Sequence, residues 1–339
     1  MLTDVQAPAR SQAAVQPEPC QPEDQIPSLS ELWAKKYVRD LHHQDRHLAQ
    51  LDQSLTRGDV AQNLLTKLRS ASAQAWHQTE TLLAQEVQRH QIDPELIDPW
   101  TISKDVHQVY QSALEAYAQG ITPQRFSLTA SKQIGPVRQA HTAVDPRVIG
   151  FVSMQFHYCG QLLSQVAPSV ERRALQSYFK VVDDLLYMPL HRAYSAAARY
   201  DYHHPRLEMV RLALPATHRI ANRIVDQVAG YCPDYMAHSG PLTDPTVRVS
   251  SLRDVEMFQI YLWTCVLEGN VGAITQELFP LCVMLYPTLK VRWGLVRLMI
   301  NLLDQELVQC VGSAYVKQYE PHYHALLEMF SPQIFPDPL

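Results

Sequence analysis

Glycine is scarce in this chain, and the catalytic and nucleotide-binding motifs that depend on glycine are missing. Only 11 of the 339 residues are Gly. The sequence contains no P-loop, no GxGxxG dinucleotide motif and no GxSxG nucleophile motif, and the HExxH zinc motif is absent as well. We therefore predict a protein that is not an enzyme and has no catalytic residues.

The cysteines form no recognisable framework of disulfides or metal ligands. There is no CxxC pair, and the six cysteines are scattered over the chain: Cys20, Cys159, Cys232, Cys265, Cys282 and Cys310. In a chain of this length, scattered cysteines are typical of small buried apolar residues in a reducing compartment. The pattern indicates a cytoplasmic protein.

Long apolar runs and an excess of positive charge are also missing. The longest apolar runs, near 257–267 and 278–289, are shorter than the roughly 20 residues of a membrane-spanning helix. The first residues, MLTDVQAPARSQ, lack the apolar core of a signal peptide. The net charge of −5, without a dominant basic patch, argues against nucleic acid as a partner. We therefore expect a protein that neither spans a membrane nor binds nucleic acid.

What the chain does contain is a series of apolar positions at helical spacing. Hydrophobic residues make up 46% of the sequence, 23 prolines mostly separate the apolar segments, and no sustained β-alternation occurs. These features predict an all-α protein. We divide it into a disordered tail 1–27, a helical extension 28–120, a linker 121–147, a globular helical domain 148–330 and a C-terminal tail 331–339.

Several polar residues have a spacing that suits a chemical role, but simpler interpretations are favoured. His43 and His47 are spaced like two metal ligands on a helix, yet no third ligand accompanies them, which favours a solvated face. Asp183 and Asp184 point about 100° apart on a helix, so we expect a solvated or salt-bridged pair. His157 lies among aromatic residues, which favours a hydrogen-bonded core histidine.

Residues 247–270 form the stretch around which the rest is organised. A serine near its start can cap a helix, and no Pro or Gly follows until Gly269. The second half is apolar in nearly every direction, which is typical of a buried helix, so we predict the central helix of the globule here. At about 100° per residue, one face carries Asp254, Phe258, Tyr261 and Cys265. A carboxylate beside aromatic rings is either a cap or a ligand contact.

The same stretch resembles the bilin-carrying helix of the phycobiliproteins, the light-harvesting proteins of the phycobilisome. The family pattern is roughly Cys-Leu-Arg-Asp-x-Glu, followed by a Tyr and a closing Ala-Gly-Asp. The matching residues occur here in the same order without a gap: Ser251, Leu252, Arg253, Asp254, Glu256, Tyr261, Gly269 and Asn270. The resemblance covers about the last half of the chain. It implies a globin-like, phycobiliprotein-type helical bundle at 148–330 with an N-terminal helical extension.

The resemblance also implies a ligand and the residues that hold it. In the family, the Cys forms a thioether to the bilin, the Asp hydrogen-bonds the pyrrole nitrogens and the Arg binds a propionate. Ser251 stands in the position of that Cys and has no thiolate for the thioether. The resemblance therefore implies non-covalent bilin contact through Arg253, Asp254 and Tyr261. The protein would be closest in kind to the bilin-biosynthesis-associated globins of cyanobacteria.

Other interpretations stay open at this point. Ser251-x-x-Asp254 is also the pattern of a capping box, in which the Asp satisfies backbone donors at a helix N-terminus. The chain could equally be a pigment-free structural or adaptor protein of the antenna that docks through its helices. A haem-binding globin sensor is disfavoured, because no histidine lies between His238 and His322 to serve as the proximal ligand.

A long apolar stripe predicts a covering surface, either in the same protein or in another chain. Residues 59–91 form an amphipathic pattern whose stripe is nearly as long as the helix and whose polar face is rich in Gln, Ser and Thr. Interface cores are likewise depleted of charge. We expect a homodimer or a hetero-partner. The resemblance makes phycobilisome components or bilin-biosynthesis enzymes the candidates.

Overall fold

The protein is described by a computed structural model over residues 28–38 and 56–336. The predicted tail 1–27, the pair His43 and His47, and the last three residues lie outside this described part. Within it the chain is predominantly helical, which confirms the predicted all-α class. No helix in this part of the chain is long and apolar enough to cross a membrane.

From residue 57 onward, most of the helices are joined by short connections. The α-helices of the described residues are α1 Leu29–Ala34, α2 Arg57–Arg89, α3 Pro99–Ala118, α4 Pro123–Thr142, α5 Ile149–Val166, α6 Ser169–Tyr187, α7 Leu190–Ala197, α8 Pro205–Ala213, α9 Thr217–Tyr231, α10 Pro245–Glu268, α11 Phe279–Thr288, α12 Trp293–Val311 and α13 Val316–Met329. A π-helical stretch, Ala273–Leu278, leads directly into α11. The two-residue strands β1, Met236–Ala237, and β2, Gly240–Pro241, pair antiparallel in a small hairpin.

Helix α10 lies at the centre of the protein, as its sequence predicts. Every side chain from Val255 to Leu267 is buried, because α7, α9, α13 and the π-helical stretch pack around this part of the helix. The helix ends at Gly269, whose φ of 71° is a left-handed conformation that glycine adopts without strain. The prediction of a buried central helix is confirmed.

The start of α10 differs from the prediction, and the difference removes one interpretation of Asp254. The helix begins at Pro245, and the side chain of Asp244 caps it by accepting hydrogen bonds from two backbone N–H groups. Asp254 therefore lies in the third turn of the helix and is too far along to cap it. Ser251 does not cap either, since its hydroxyl donates to the carbonyl of Val247 at 2.9 Å. The capping-box interpretation of the two residues is wrong.

The linker predicted at 121–147 is wrong over most of its length, because the chain there forms helix α4. Thr122 caps the helix, and the buried face packs against α6. Side chains on that face follow a four-residue spacing: Phe126, Ala130, Ile134 and Arg138. Only two of these four are large apolar residues, and Pro136 lies inside the helix. The helical periodicity is therefore weak in the sequence.

The apolar stripe of α2 is covered within the chain. Val60, Leu64 and Leu68 are buried, and the helix packs against α3 and α5. Between α5 and α2, the side-chain amide of Gln155 donates to the carbonyl oxygen of Ser72 at 2.9 Å. The predicted extension and the predicted globular domain thus share one hydrophobic core. The stripe is no longer a reason to expect a partner chain, and the homodimer or hetero-partner stays a prediction.

The sequence of residues 169–200 predicts one long helix with a kink at Pro189, because proline disrupts a helix interior, and the structure has two helices there instead. Helix α6 ends at Tyr187, and α7 begins at Leu190. Met188 between them is extended, with φ −104° and ψ 146°, because the residue before a proline is disfavoured in the helical conformation. The break places the end of α6 beside α10, where the candidate site lies.

The first half of the predicted tail 331–339 packs against the helices. The ring of Phe335 stacks on that of Trp293, with 4.0 Å between the centroids. The guanidinium of Arg297 donates to the carbonyl oxygen of Phe335 at 3.0 Å. This aromatic contact packs the half-buried Phe335 against the core, which the proline-rich composition of the segment did not indicate.

Candidate functional site

A largely apolar pocket lies beside the first half of α10. Its volume is about 270 Å³, and its walls come from α5, the end of α6, α10, α11, α12 and the β1–β2 hairpin. The apolar lining includes Met154, Phe258, Leu285, Leu289, Val296 and Met299. A concave apolar surface with a few polar groups is typical of small-molecule sites. We therefore take this pocket as the candidate functional site.

The hairpin wall is fastened to the turn between α11 and α12. The hydroxyl of Tyr235, just before β1, donates to the carbonyl of Lys290 at 3.0 Å and accepts from the N–H of Arg292 at 2.8 Å. The N–H of His238, between the strands, donates to the carbonyl of Leu289 at 3.1 Å. Because a short surface loop opens at lower cost than a packed helix, we expect this wall to shift more easily than the helical walls.

Asp254 places a carboxyl group on the α10 wall of the pocket. The hydroxyl of Tyr187, at the end of α6, donates to its Oδ1 at 3.3 Å. Burial raises the pKa of Asp254 to about 6, and Arg253 and the hydroxyls of Tyr187 and Tyr286 only partly offset this effect. At neutral pH the group is mostly ionised and can accept hydrogen bonds from N–H groups of a ligand.

Arg253 adds a cation to the same wall. Its guanidinium lies over the ring of Tyr187, with 4.4 Å between Cζ and the ring centroid. Burial lowers the pKa of Arg253, but Tyr187, Asp254 and nearby acidic groups outweigh burial, so the pKa lies above its usual value. The Nε atom is buried and has no hydrogen-bond partner among the described residues. A buried donor without a partner costs free energy, and a hydrogen-bond acceptor on a ligand would remove that cost.

Tyr261, the third predicted site residue, does not line this pocket. It lies two helical turns beyond Asp254 and is fully buried. Its hydroxyl accepts a hydrogen bond from the guanidinium of Arg138 at 2.8 Å, and the same guanidinium pairs with Glu277 of the π-helical stretch at 2.8 Å. The structure thus brings Arg253 and Asp254 together and places Tyr261 in a separate buried polar network.

Side chains of α5 and α6 complete the polar part of the pocket. The Nδ1 atom of His157 lies 2.9 Å from Oδ2 of Asp183, and its Nε2 lies 2.9 Å from the side-chain nitrogen of Gln161. A neutral imidazole with its proton on Nδ1 satisfies both hydrogen bonds. The predicted hydrogen bonding of His157 is confirmed, but the histidine lines a pocket wall. Asp183 is hydrogen-bonded to this histidine, and it is the neighbouring Asp184 that forms salt bridges, with Lys36 and Lys180.

Sequence reasoning missed the tyrosines and Gln161 of this site. Tyr187 and Tyr286 come from α6 and α11, two helices other than the one that carries Asp254. Both rings lie in helices where an aromatic residue at helical spacing is typical of an ordinary core position. No motif joins them to Asp254 in the sequence, so only the packing of three helices shows that they surround its carboxyl group.

A metal centre finds no support in the described part of the chain. None of its clusters contains three or more His, Cys, Asp or Glu side chains that could hold a metal ion. Cys265, the one cysteine of α10, is buried, and burial raises its pKa to about 11. This thiol is therefore protonated at neutral pH, and it is neither a ready nucleophile nor a ready metal ligand.

The polar groups of the pocket define what it can bind. One wall offers the acceptor oxygens of Asp254 and the cation of Arg253, and the opposite helix offers His157 and Gln161. An apolar molecule with N–H donors and an anionic group satisfies the α10 wall. Among known proteins, no family model, no curated protein and no solved structure matches this chain.

Proposed function

We propose that this protein is a non-enzymatic, globin-like protein of the phycobiliprotein type that binds a bilin non-covalently in the pocket beside α10. The resemblance of residues 251–270 to the bilin-carrying helix supports this ligand class, and with it a role in bilin handling or bilin biosynthesis in a photosynthetic cell. One observation carries the proposal. Arg253 and Asp254, which match the bilin-contacting residues of the family, share one wall of a largely apolar pocket.

The two side chains suit different parts of a bilin. A bilin is an extended conjugated molecule with pyrrole N–H donors along its middle and propionate groups at its rim. The carboxylate of Asp254 accepts hydrogen bonds from the N–H groups, and Arg253 offers its unpartnered Nε to a propionate. Apolar side chains such as Phe258 and Leu289 pack against the ring faces.

A bilin is larger than the pocket, so its entry needs a wider opening. The volume of about 270 Å³ lies just below the roughly 300–1,000 Å³ of typical ligand pockets. The hairpin with Tyr235 and His238 is the wall that can move. We expect the pyrrole rings nearest Asp254 to be enclosed, with the ends of the molecule reaching solvent beside the hairpin.

Titration of the purified protein with biliverdin is expected to give a red-shifted, strengthened absorbance band. Asp254→Ala and Arg253→Met should each weaken binding about 10- to 100-fold, because each removes a hydrogen bond to a charged group. Matched control changes are available in the ion pair between Arg248 and Asp226, which lies outside the pocket lining. Arg248→Met and Asp226→Ala should leave the dissociation constant unchanged.

A different outcome would favour one of the other functions. If biliverdin produces no spectral change, or binds equally well to Asp254→Ala and Arg253→Met, the pocket is not a bilin site. The pigment-free adaptor then becomes the better hypothesis. Haem added in a parallel titration tests the third possibility, since a Soret band that saturates at one haem per chain would identify a haem protein.

The protein is expected to carry no covalent bilin. Ser251 provides no thiolate at the attachment position, and its hydroxyl is engaged with the carbonyl of Val247. Cys265 lies almost four turns further along α10 and is buried. After co-expression with bilin-producing enzymes, a denaturing gel should show no zinc-induced fluorescence at the mass of the chain. A fluorescent band that disappears in Cys265→Ser would reveal an attachment site there.

A further inference from the structure

A cluster of buried charges lies close to the pocket, outside its lining. The Nζ atom of Lys36 lies 2.8 Å from Asp184 and 2.9 Å from Glu256, and both carboxylates are almost completely buried. Lys180 lies 3.0 Å from Asp184, and Nδ1 of His218 lies 2.6 Å from Glu256. Two lysines thus balance two carboxylates. Such a buried group of ions is stable only while every charge keeps its partner.

Lys36 comes from a short N-terminal segment, residues 28–38, that is docked rather than independently stable. A helix of this length is marginal in water, so the segment holds its shape through contacts with the rest of the protein. Trp33 and Tyr37 are buried. The Tyr37 hydroxyl donates to Asp184 at 2.9 Å, and the indole N–H of Trp33 donates to the Tyr37 hydroxyl at 3.1 Å.

The carboxylates that hold Lys36 belong to the two helices that carry the polar groups of the pocket. On α6, Asp184 follows Asp183, the partner of His157, and precedes Tyr187 by three residues, which is nearly one turn. On α10, Glu256 lies two residues beyond Asp254. Three polar bridges therefore join α6 to α10, and one of them is the direct contact of Lys180 with Glu256 at 3.9 Å, which does not involve Lys36. The second runs from Asp184 through Lys36 to Glu256, and the third from Tyr187 to Asp254.

The two lysines stabilise the ionised form of both carboxylates in the cluster. Burial raises the pKa of Glu256, but Lys36 and Lys180 outweigh burial, and the pKa lies below its usual value. The pKa of Asp184 is lowered for the same reason. Without Lys36 the two carboxylates would share one lysine, and their mutual repulsion would favour separation of α6 and α10.

We propose that residues 28–38 act as a clip whose Lys36 sets the spacing of α6 and α10, and that docking of this clip regulates ligand binding in the pocket. This regulation rests on the proposed bilin site. Lys36 is a positioning residue, since it does not line the pocket and acts through the helices that present Asp254 and Tyr187. Because linkage is reciprocal, a ligand in the pocket must also hold the clip more firmly in place.

The test compares Lys36→Met with Lys35→Met in the full-length chain. Lys35 is the adjacent, exposed lysine of the same segment and takes no part in the cluster, so it is a matched control. Biliverdin affinity is expected to fall about 10-fold in Lys36→Met and to stay unchanged in Lys35→Met. Tyr37→Phe, which removes only the hydroxyl donated to Asp184, should weaken binding in the same direction by a smaller factor.

Hydrogen–deuterium exchange provides a second measurement. A segment 28–38 that only docks on the bundle would not produce the changes in amide exchange expected here. In the wild-type protein, biliverdin is expected to slow amide exchange in residues 29–38, which the pocket does not contact. In ligand-free Lys36→Met, exchange should accelerate at the end of α6 and in the first half of α10. This second measurement needs no ligand, so it tests the clip even if biliverdin does not bind and the proposed function fails.

Two results would contradict the proposal that the clip regulates ligand binding. The first is wild-type biliverdin affinity in folded Lys36→Met, or in Tyr37→Phe if Lys36→Met does not fold. The second is unchanged exchange in α6 and α10 of Lys36→Met while residues 29–38 exchange freely. Either result would mean that the segment docks on the surface of the bundle without influence on the spacing of the two helices.

Discussion

Asp254→Asn is expected to make the folded protein more stable at pH 7 while it weakens the proposed ligand site. The pKa of Asp254 is raised from 3.8 to about 6, so folding favours its protonated form. Below about pH 4 the group is protonated in both the folded and the unfolded protein, so it does not affect the free energy of unfolding. As the pH rises from 4 to 6, ionisation of the unfolded chain lowers that free energy progressively. A shift of about two units corresponds to roughly 3 kcal/mol at pH 7 as an upper value. Asn removes that cost.

Urea denaturation between pH 4 and pH 8 measures this effect. The wild-type free energy of unfolding should fall as the pH rises from 4 to 6, and the Asp254→Asn variant should lack that part of the decline. Asp226→Asn is the matched control, because Asp226 is largely exposed and should change stability by less than about 0.5 kcal/mol. A loss of stability at pH 7 in Asp254→Asn would mean that hydrogen bonds to its carboxylate outweigh burial.

Phe258→Ala is expected to lower the free energy of unfolding by about 3–5 kcal/mol, the usual loss for a buried aromatic side chain. Phe258 is 1% exposed, and its ring meets that of Phe330 edge to face, with 5.9 Å between the centroids. The deletion removes this contact from the centre of α10 and leaves a void beside the pocket. Equilibrium denaturation with circular dichroism at 222 nm, a generic helix signal, provides the measurement.

Val249→Ala is the control for this prediction. Val249 lies in the same helix but is 61% exposed, so its truncation should cost little. A loss below about 1 kcal/mol for Phe258→Ala would show that the middle of α10 contributes little to the core. The pocket would then have to be regarded as a surface groove of a peripheral helix.

Local patterns in the sequence predicted the parts of the fold whose signal is local. Helix α10 was recognisable because a stretch that is apolar in nearly every direction can only be buried. The break at Pro189 was recognisable because proline acts on its immediate neighbour. Helix α4 was not recognisable from the sequence, because its buried face includes Ala130 and Arg138 and its interior contains Pro136. Arg138 is buried only because Glu277 and Tyr261, far along the chain, accept its hydrogen bonds.

The residues of the candidate site also divide into those that a local sequence pattern indicated and those that only the packing of the helices revealed. Arg253 and Asp254 are adjacent in the chain, so a short motif was enough to select them. Tyr261 belongs to the same motif, but one face of a helix extends over several turns, and its hydroxyl meets a different network. His157 was expected as a core residue, because nothing in its own segment shows that α5 and α10 enclose a pocket between them.

By itself, then, the sequence determined the helical class, the buried central helix and the adjacent charged pair Arg253 and Asp254 on it, because each depends on neighbours within a few turns. The tertiary structure decided what those residues do. In the structure α10 begins at Pro245, so Asp254 lies away from the helix end and lines an apolar pocket. It also brought Lys36 to two carboxylates more than a hundred residues away, a pairing of charges that no local periodicity encodes.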